Sequence, residues 1–439
     1  MAVYLGSSNI TMFGGQSAVS GTLSITSNGT YNVASYVSAD VSITDNFLDR
    51  YCARDVPSQI NNSTVSSISA HAFFKHSAIT TVSFQNCTYV GTSAFHWCPA
   101  LTSIDFPECT SVDKFAFYNC YSMSTINMPK LVSMGQEAFG CCSNVTSINF
   151  PLCSEIASYA FHRIPSLESV SIPNCTTIGE AAFSGCSALR SVSFSKCTEL
   201  GGYAFASCYS LENVYIPSCS IIGSNAFSNC YALSSISLPE CTEISSYAFY
   251  KCSTLADFYA PNITSIGNSA FTSTALSSIA FSQCLYVGGD AFANCSLLTT
   301  VDLPECTQLG ISTAYSTEWT FYKCFALSNV SIPKCSIICE GAFNYCSALQ
   351  EISLPACTFI GSSAFFKAVN LISVNLTGVS AVPTLMGNNY FGAAFASTPI
   401  GGYSDVAGQY GSIYVPASLY SNFLVASGWS SISSRIVSV

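Results

Sequence analysis

LTSIDFPECTSVDKFAFYNCYS, residues 101–122, is one full period of a pattern that recurs along most of the chain. Its apolar skeleton is Leu101, Ile104, Phe106, Cys109, Val112, the pair Ala116-Phe117, and Cys120. Between Ile104 and Phe106 the polar Asp105 interrupts the apolar residues, the alternation of a short strand with one buried face. Pro107 follows at once. Proline has no N–H to give to a ladder, so it ends the strand. Proline recurs at the same place as Pro129, Pro151, Pro173, Pro217, Pro239, Pro304, Pro333 and Pro355.

Outward from this stretch, Ala-Phe marks the period. It occurs at Ala72-Phe73, Ala94-Phe95, Ala116-Phe117 and Ala138-Phe139, and continues in 22-residue steps to Ala270-Phe271. The register slips by one residue to Ala291-Phe292, takes a longer step of 29 residues to Thr320-Phe321, then resumes at Ala342-Phe343 and Ala364-Phe365. Such a period predicts a solenoid whose coils cannot bury their apolar side alone and stack to do so. The skeleton L-x-x-I-x-F-x-x-C-x-x-V follows the leucine-rich-repeat pattern with one residue added before its last position. It predicts an array of about 14 coils, each with a short parallel strand, mostly β and irregular structure, capped at both ends. Residues 67–377 are assigned to the array, 1–44 to an N-terminal β segment, 45–66 to a cap, and 378–439 to irregular final coils with a strand-helix cap.

The full skeleton, L-x-x-I-x-F-P-x-C-T-x-I-G-x-x-A-F-x-x-C, resembles the BspA-type leucine-rich repeats of bacterial surface proteins. That resemblance implies a binding or adhesion role with a protein or glycan on a cell surface as partner. A second resemblance is shorter. GTLSITSNGTYNVASYVSADVSI, residues 21–43, is similar to β segments of phage and prophage tail proteins, and Asn28-Gly29 reads as a hairpin turn. It implies a virion protein that contacts a host receptor, with a homo-oligomer possible. The first residues, MAVYLGSSNITMFGG, lack a basic and then apolar leader, so folding in the cytosol before reaching a virion or extracellular surface is expected.

Only 8 % of the residues are charged and the formal net charge is -10. A chain that acidic and that sparsely basic is not expected to bind nucleic acid through phosphates. Mean hydropathy is +0.40, yet polar residues break every apolar run, so membrane insertion is not expected. The four histidines, His71, His76, His96 and His162, lie in none of the nucleophile, phosphate-loop or metalloprotease motifs. No enzymatic activity, cofactor or metal is therefore expected.

Nearly all of the 24 cysteines fall in two repeat positions, one represented by Cys109 and one by Cys120. Equivalent side chains in stacked coils point the same way about 4.8 Å apart, poor geometry for a disulfide. Leu131 and Ile263 stand in for cysteine in the first row, Ile164 and Thr274 in the second. A metal ligand would not tolerate such replacement, so buried free thiols are expected. Sequons at Asn86, Asn144 and Asn174 sit beside the cysteine row and read as by-products of the repeat.

Two places are candidates for ligand contact. Residues flanking the buried strand positions should face outward as a neutral surface of hydroxyls and amides, with Asp105, Tyr215, Asp257, Tyr259 and Asp302 as its larger or charged members. The longer coil adds GISTAYSTEW, residues 310–319, in which Tyr315 and Trp319 would be aromatic anchors.

Overall fold

The structure, a computed structural model, describes residues 58–63, 65–68, 70–310, 319–387, 393–401 and 410–439, with the backbone of five earlier strands. The chain divides into two units, Met1–Ile216 and Pro217–Val439. Each is built of parallel β-solenoid turns of about 22 residues, some 16 turns between them, two more than the sequence suggested.

In the first unit the coil of residues 101–122 has three sides. The strand Ser103–Asp105 pairs in parallel with Thr81–Phe84 and Thr125–Asn127, with Ile104 opposite Val82 and Ile126. After Pro107 the chain turns into the two-residue strand Ser111–Val112, which pairs with Tyr89–Val90 and Ser133–Met134. The third side holds the Ala-Phe pair and is made of successive tight turns. There Ser93, Phe95 and Trp97 donate their N–H groups to the carbonyls of Lys114, Ala116 and Tyr118 in the next coil. The alternate N–H groups of Ala94 and His96 close local turns onto Gly91 and Ser93. This split requires left-handed backbone at Ser93 and Trp97, with φ of 54° and 62°, and at the equivalent residues of other coils. A left-handed L-residue costs about 1–2 kcal/mol, so stacking must hold it there.

That stacking is aromatic. Phe95, Phe117 and Phe139 follow one another at 5.2 and 5.3 Å between ring centroids, tilted by 4° and 5°. In the second unit the row runs Phe227, Phe249, Phe271, Phe292 at 5.3 Å steps. Parallel offset rings at that spacing contribute about 0.5–1.5 kcal/mol beyond their burial. The 29-residue step leaves the row intact: Phe292 and Phe321 are 5.5 Å apart, and Asp302 pairs with Ser331. The row also continues to Phe395, 5.2 Å from Phe365.

The 23 described cysteines are buried free thiols. In the first row each donates to the carbonyl two residues on, as Cys109 does to Ser111 at 3.3 Å. In the second row nine thiols reach back to the phenylalanine carbonyl of the preceding coil, as Cys98 does to Phe73 and Cys120 to Phe95, both at 3.1 Å. Thr274 fills a second-row place by bonding the Phe271 carbonyl at 2.9 Å. A side chain slim enough for the stack is what the position uses, with or without a donor. Leu131, Ile164 and Ile263 fill such places as fully buried hydrocarbon.

At the N-terminus, Leu23–Ser27 and Asn32–Tyr36 form the expected antiparallel pair, joined by Ala39–Ile43. Most of the expected cap at 45–66 lies outside the described residues. At the other end the strand Ser412–Val415 pairs with Ser373–Asn375 and with a final strand, Ile436–Ser438. The short helix Tyr420–Val425 buries Phe423, with Leu419 and Leu424 half-buried beside it. Trp429, which sequence reasoning passed over, is fully buried and donates from Nε1 to the Pro383 carbonyl at 2.7 Å. No helix among the described residues is long and apolar enough to cross a membrane.

Candidate binding surfaces

The strands position the first surface. Each turns its middle residue inward, buried or half-buried, and its neighbours outward, as in the exposed-buried-exposed pattern of Ser147–Asn149 and the exposed-intermediate-exposed pattern of Asp257–Tyr259. Because the strands pair in register, equivalent residues form rows. Asp105, Tyr215, Tyr259 and Asp302 all hold the third strand position of their coils, and Asp257 holds the first.

These candidates are not equivalent. The Asp105 carboxylate accepts from Ser83 Oγ at 3.0 Å, Gln85 Nε2 at 2.7 Å and Asn127 Nδ2 at 2.6 Å. It is half-buried and already occupied in tying three coils together. Tyr215 and Tyr259 are 58 % and 59 % exposed, each beside a serine of the preceding coil, Ser193 and Ser237. Asp257 and Asp302 are exposed. Several hydroxyls on this face are committed to the backbone: Thr102 Oγ1 donates to the Thr80 carbonyl and Thr299 Oγ1 to that of Ser277, both at 2.9 Å.

Of the longer coil, Tyr315 lies outside the described residues. Trp319 is half-buried. Its ring lies 4.5 Å from that of Tyr322 and over Gly341, where a methyl group would collide with the indole. Its Nε1 is buried and finds no acceptor among the described residues. Trp319 is thus part of the packed turn side and not a free loop tip.

The turn side carries a second surface that sequence reasoning missed. In the first unit, rings follow one another along it: His71, Phe74, His96 and Tyr118 at 5.6, 5.2 and 5.2 Å, then Tyr118 to His162 at 5.8 Å. Gly140 lies under the last pair; a methyl group there would stand 2.7 Å from the His162 ring. Desolvation, then Lys75 and His71, hold His96 below the usual imidazole range. A cleft of about 570 Å³ opens beside Tyr118, Tyr121, Cys141 and Arg163. Cys141 Sγ is 3.8 Å from His162 Nε2, but burial pushes the thiol up, so it stays protonated and is no ready nucleophile. Among the described residues no three His, Cys, Asp or Glu side chains gather as metal ligands.

An aromatic-lysine dipeptide also recurs there, directly after the buried phenylalanine: Phe74-Lys75, Tyr250-Lys251, Tyr322-Lys323 and Phe366-Lys367. Each ammonium sits over the preceding ring, at 4.7, 5.0, 4.9 and 5.6 Å from its centroid. The dipeptide was visible in the sequence, and its fixed offset from Ala-Phe was the signal.

Asn174, in one of the sequons, donates Nδ2 to the Pro151 carbonyl at 2.8 Å, and Asn262 does the same to Pro239. These amides brace adjacent coils.

No curated protein matches the chain. Among solved structures it is similar to a leucine-rich repeat protein from Bacteroides ovatus, at 19 % identity over 97 % of this chain and 99 % of that one, with a TM-score of 0.54. It is also similar to a leucine-rich cell surface protein from Faecalibacterium prausnitzii, at 20 % identity over 80 % of this chain and 94 % of that one, with a TM-score of 0.42. The BspA type leucine rich repeat region matches in overlapping spans at 51–154, 110–231, 154–277, 220–319 and 264–391. With most of its length covered by that repeat and its coils stacked as the repeat requires, the chain belongs to the BspA-type leucine-rich repeat family.

Proposed function

We propose that the protein is a non-catalytic binding protein of the bacterial-surface type, contacting protein or glycan on a cell surface through its strand faces. The observation that supports this is the in-register row of outward hydroxyl, amide and tyrosine side chains, with Tyr259 59 % exposed beside Ser237. Rigid tyrosines among small polar residues supply contact area at low entropic cost. A glycan array and a host-surface pull-down, each run with wild type and with Tyr259→Ala and Asp257→Ala, test the reading. Loss of a bound ligand in either variant supports it; a ligand retained unchanged by both removes this face.

A second reading, a phage or prophage tail protein, rests on the antiparallel pair Leu23–Ser27 and Asn32–Tyr36 and the resemblance of that segment. Co-purification with phage particles would favour it. Recovery only from cell-wall fractions would count against it.

A further inference from the structure

We propose that the turn side of the second unit, around Tyr322, Lys323, Tyr345, Phe366 and Lys367, binds an acidic glycan that carries a carboxylate on every second sugar. This surface is separate from the strand face and stands or falls independently of it.

Some cations of this protein pair with carboxylates and others lie over rings. Away from the turn side, Lys130, Arg190 and Lys334 each pair with a glutamate of a neighbouring coil, Glu108, Glu212 and Glu305, at 2.6, 3.0 and 2.6 Å. These are the three ion pairs among the described residues, and none includes Lys323 or Lys367. Lys323 and Lys367, like Lys75 and Lys251, are held by rings instead. Lys323 Nζ is 4.9 Å from the Tyr322 centroid and 6.0 Å from that of Tyr345. Lys367 Nζ is 4.9 Å from the Tyr345 centroid and 5.6 Å from that of Phe366, and donates to Tyr345 Oη at 3.1 Å. A cation held over a ring keeps its charge while its rotamers are restricted, so less entropy remains to be lost on binding an anion.

The spacing selects the ligand. Tyr322, Tyr345 and Phe366 come from consecutive coils, with centroids 5.9 and 6.0 Å apart. One coil advances about 4.8 Å, roughly the length of one sugar along a glycan chain. Lys323 and Lys367 are two coils apart, so their anion partners should recur about every 10 Å. That is the repeat of a disaccharide with one acidic sugar. Ring edges and tyrosine hydroxyls suit the C–H faces and hydroxyls of the sugars between. A polyanion bound by charge alone is disfavoured, because the chain itself carries a net charge of -10.

The test titrates the full chain with hyaluronate oligosaccharides, which have an acidic sugar at every second position, against neutral dextran and poly-glutamate. Binding of hyaluronate above both comparators is expected. Lys323→Met with Lys367→Met keeps the apolar stems on the rings and should weaken it at least tenfold. Tyr345→Ala, with both lysines present, should do the same, whereas Lys130→Ala should leave it unchanged. Melting curves check that the variants fold. Failure of hyaluronate to bind, equal binding of poly-glutamate, or full binding by the folded double variant would overturn the proposal.

Discussion

The Cys120 thiol donates to the backbone carbonyl of Phe95, 3.1 Å away and one coil back. One coil on, the Phe117 carbonyl accepts both the Cys142 thiol at 3.2 Å and the Cys120 N–H at 3.3 Å, so there the thiol uses the second lone pair. Equivalent thiols make the same link in both units, as Cys252 does to Phe227 and Cys346 to Phe321. Replacing Cys120 by alanine removes a buried donor and leaves a small void. It should cost about 1–2 kcal/mol, measured as a shift in the denaturation midpoint under reducing conditions. No shift would show the link to be incidental.

Burial makes these thiols weak acids. Cys109, Cys175, Cys186 and Cys252 are each pushed from the ordinary 9.0 up to about 12. The folded pKa lies above the unfolded one, so stability is fully present below about pH 9 and falls as pH rises toward 12, where the unfolded chain releases protons the folded chain keeps. Urea midpoints with reductant present should therefore be flat from pH 7 to 8.5 and fall steeply above pH 9. A flat profile to pH 11 would contradict the burial of the rows.

Gly140→Ala should destabilise the first unit by about 1–3 kcal/mol, because its methyl group meets the His162 ring at 2.7 Å. Removing the obstacle tests the cause. In Gly140→Ala with His162→Ala the loss should be smaller than the sum of the two single losses. Simple additivity would place the strain elsewhere.

Phe249→Ala removes a fully buried ring stacked at 5.3 Å on both Phe227 and Phe271. A loss of about 3–5 kcal/mol is expected. Because a repeat unit interacts only with its neighbours, hydrogen exchange should rise first in the coils around residue 249. Lys130→Ala, at an exposed pair with Glu108, should change stability by less than about 1 kcal/mol.

The array was legible because its signals are periodic. Phe117 and Cys120 repeat at a fixed interval, and a side chain that repeats in a solenoid stacks on its own copy. The destination of each thiol proton was not legible, since the acceptor is a carbonyl one coil back. Asp105 looked free in sequence, yet three donors from neighbouring coils occupy it, and such cross-coil partners emerge only once the register is known. Trp319 reads as part of an insertion, but Gly341, 22 residues on, makes room for its ring on the turn side. The array's continuation through Phe395 was hidden because the spacing from Phe365 stretches to 30 residues.

Thiol labelling with intact-mass readout tests the stacked rows most directly. Cys52 lies outside the described residues; the other 23 of the 24 cysteines are buried. The 23 described cysteines of the native protein should take up no more than one label between them, while the reduced and denatured chain takes up 24. Rapid labelling of many cysteines in the native state, or fewer than 24 labels after denaturation without reductant, would contradict rows of buried free thiols.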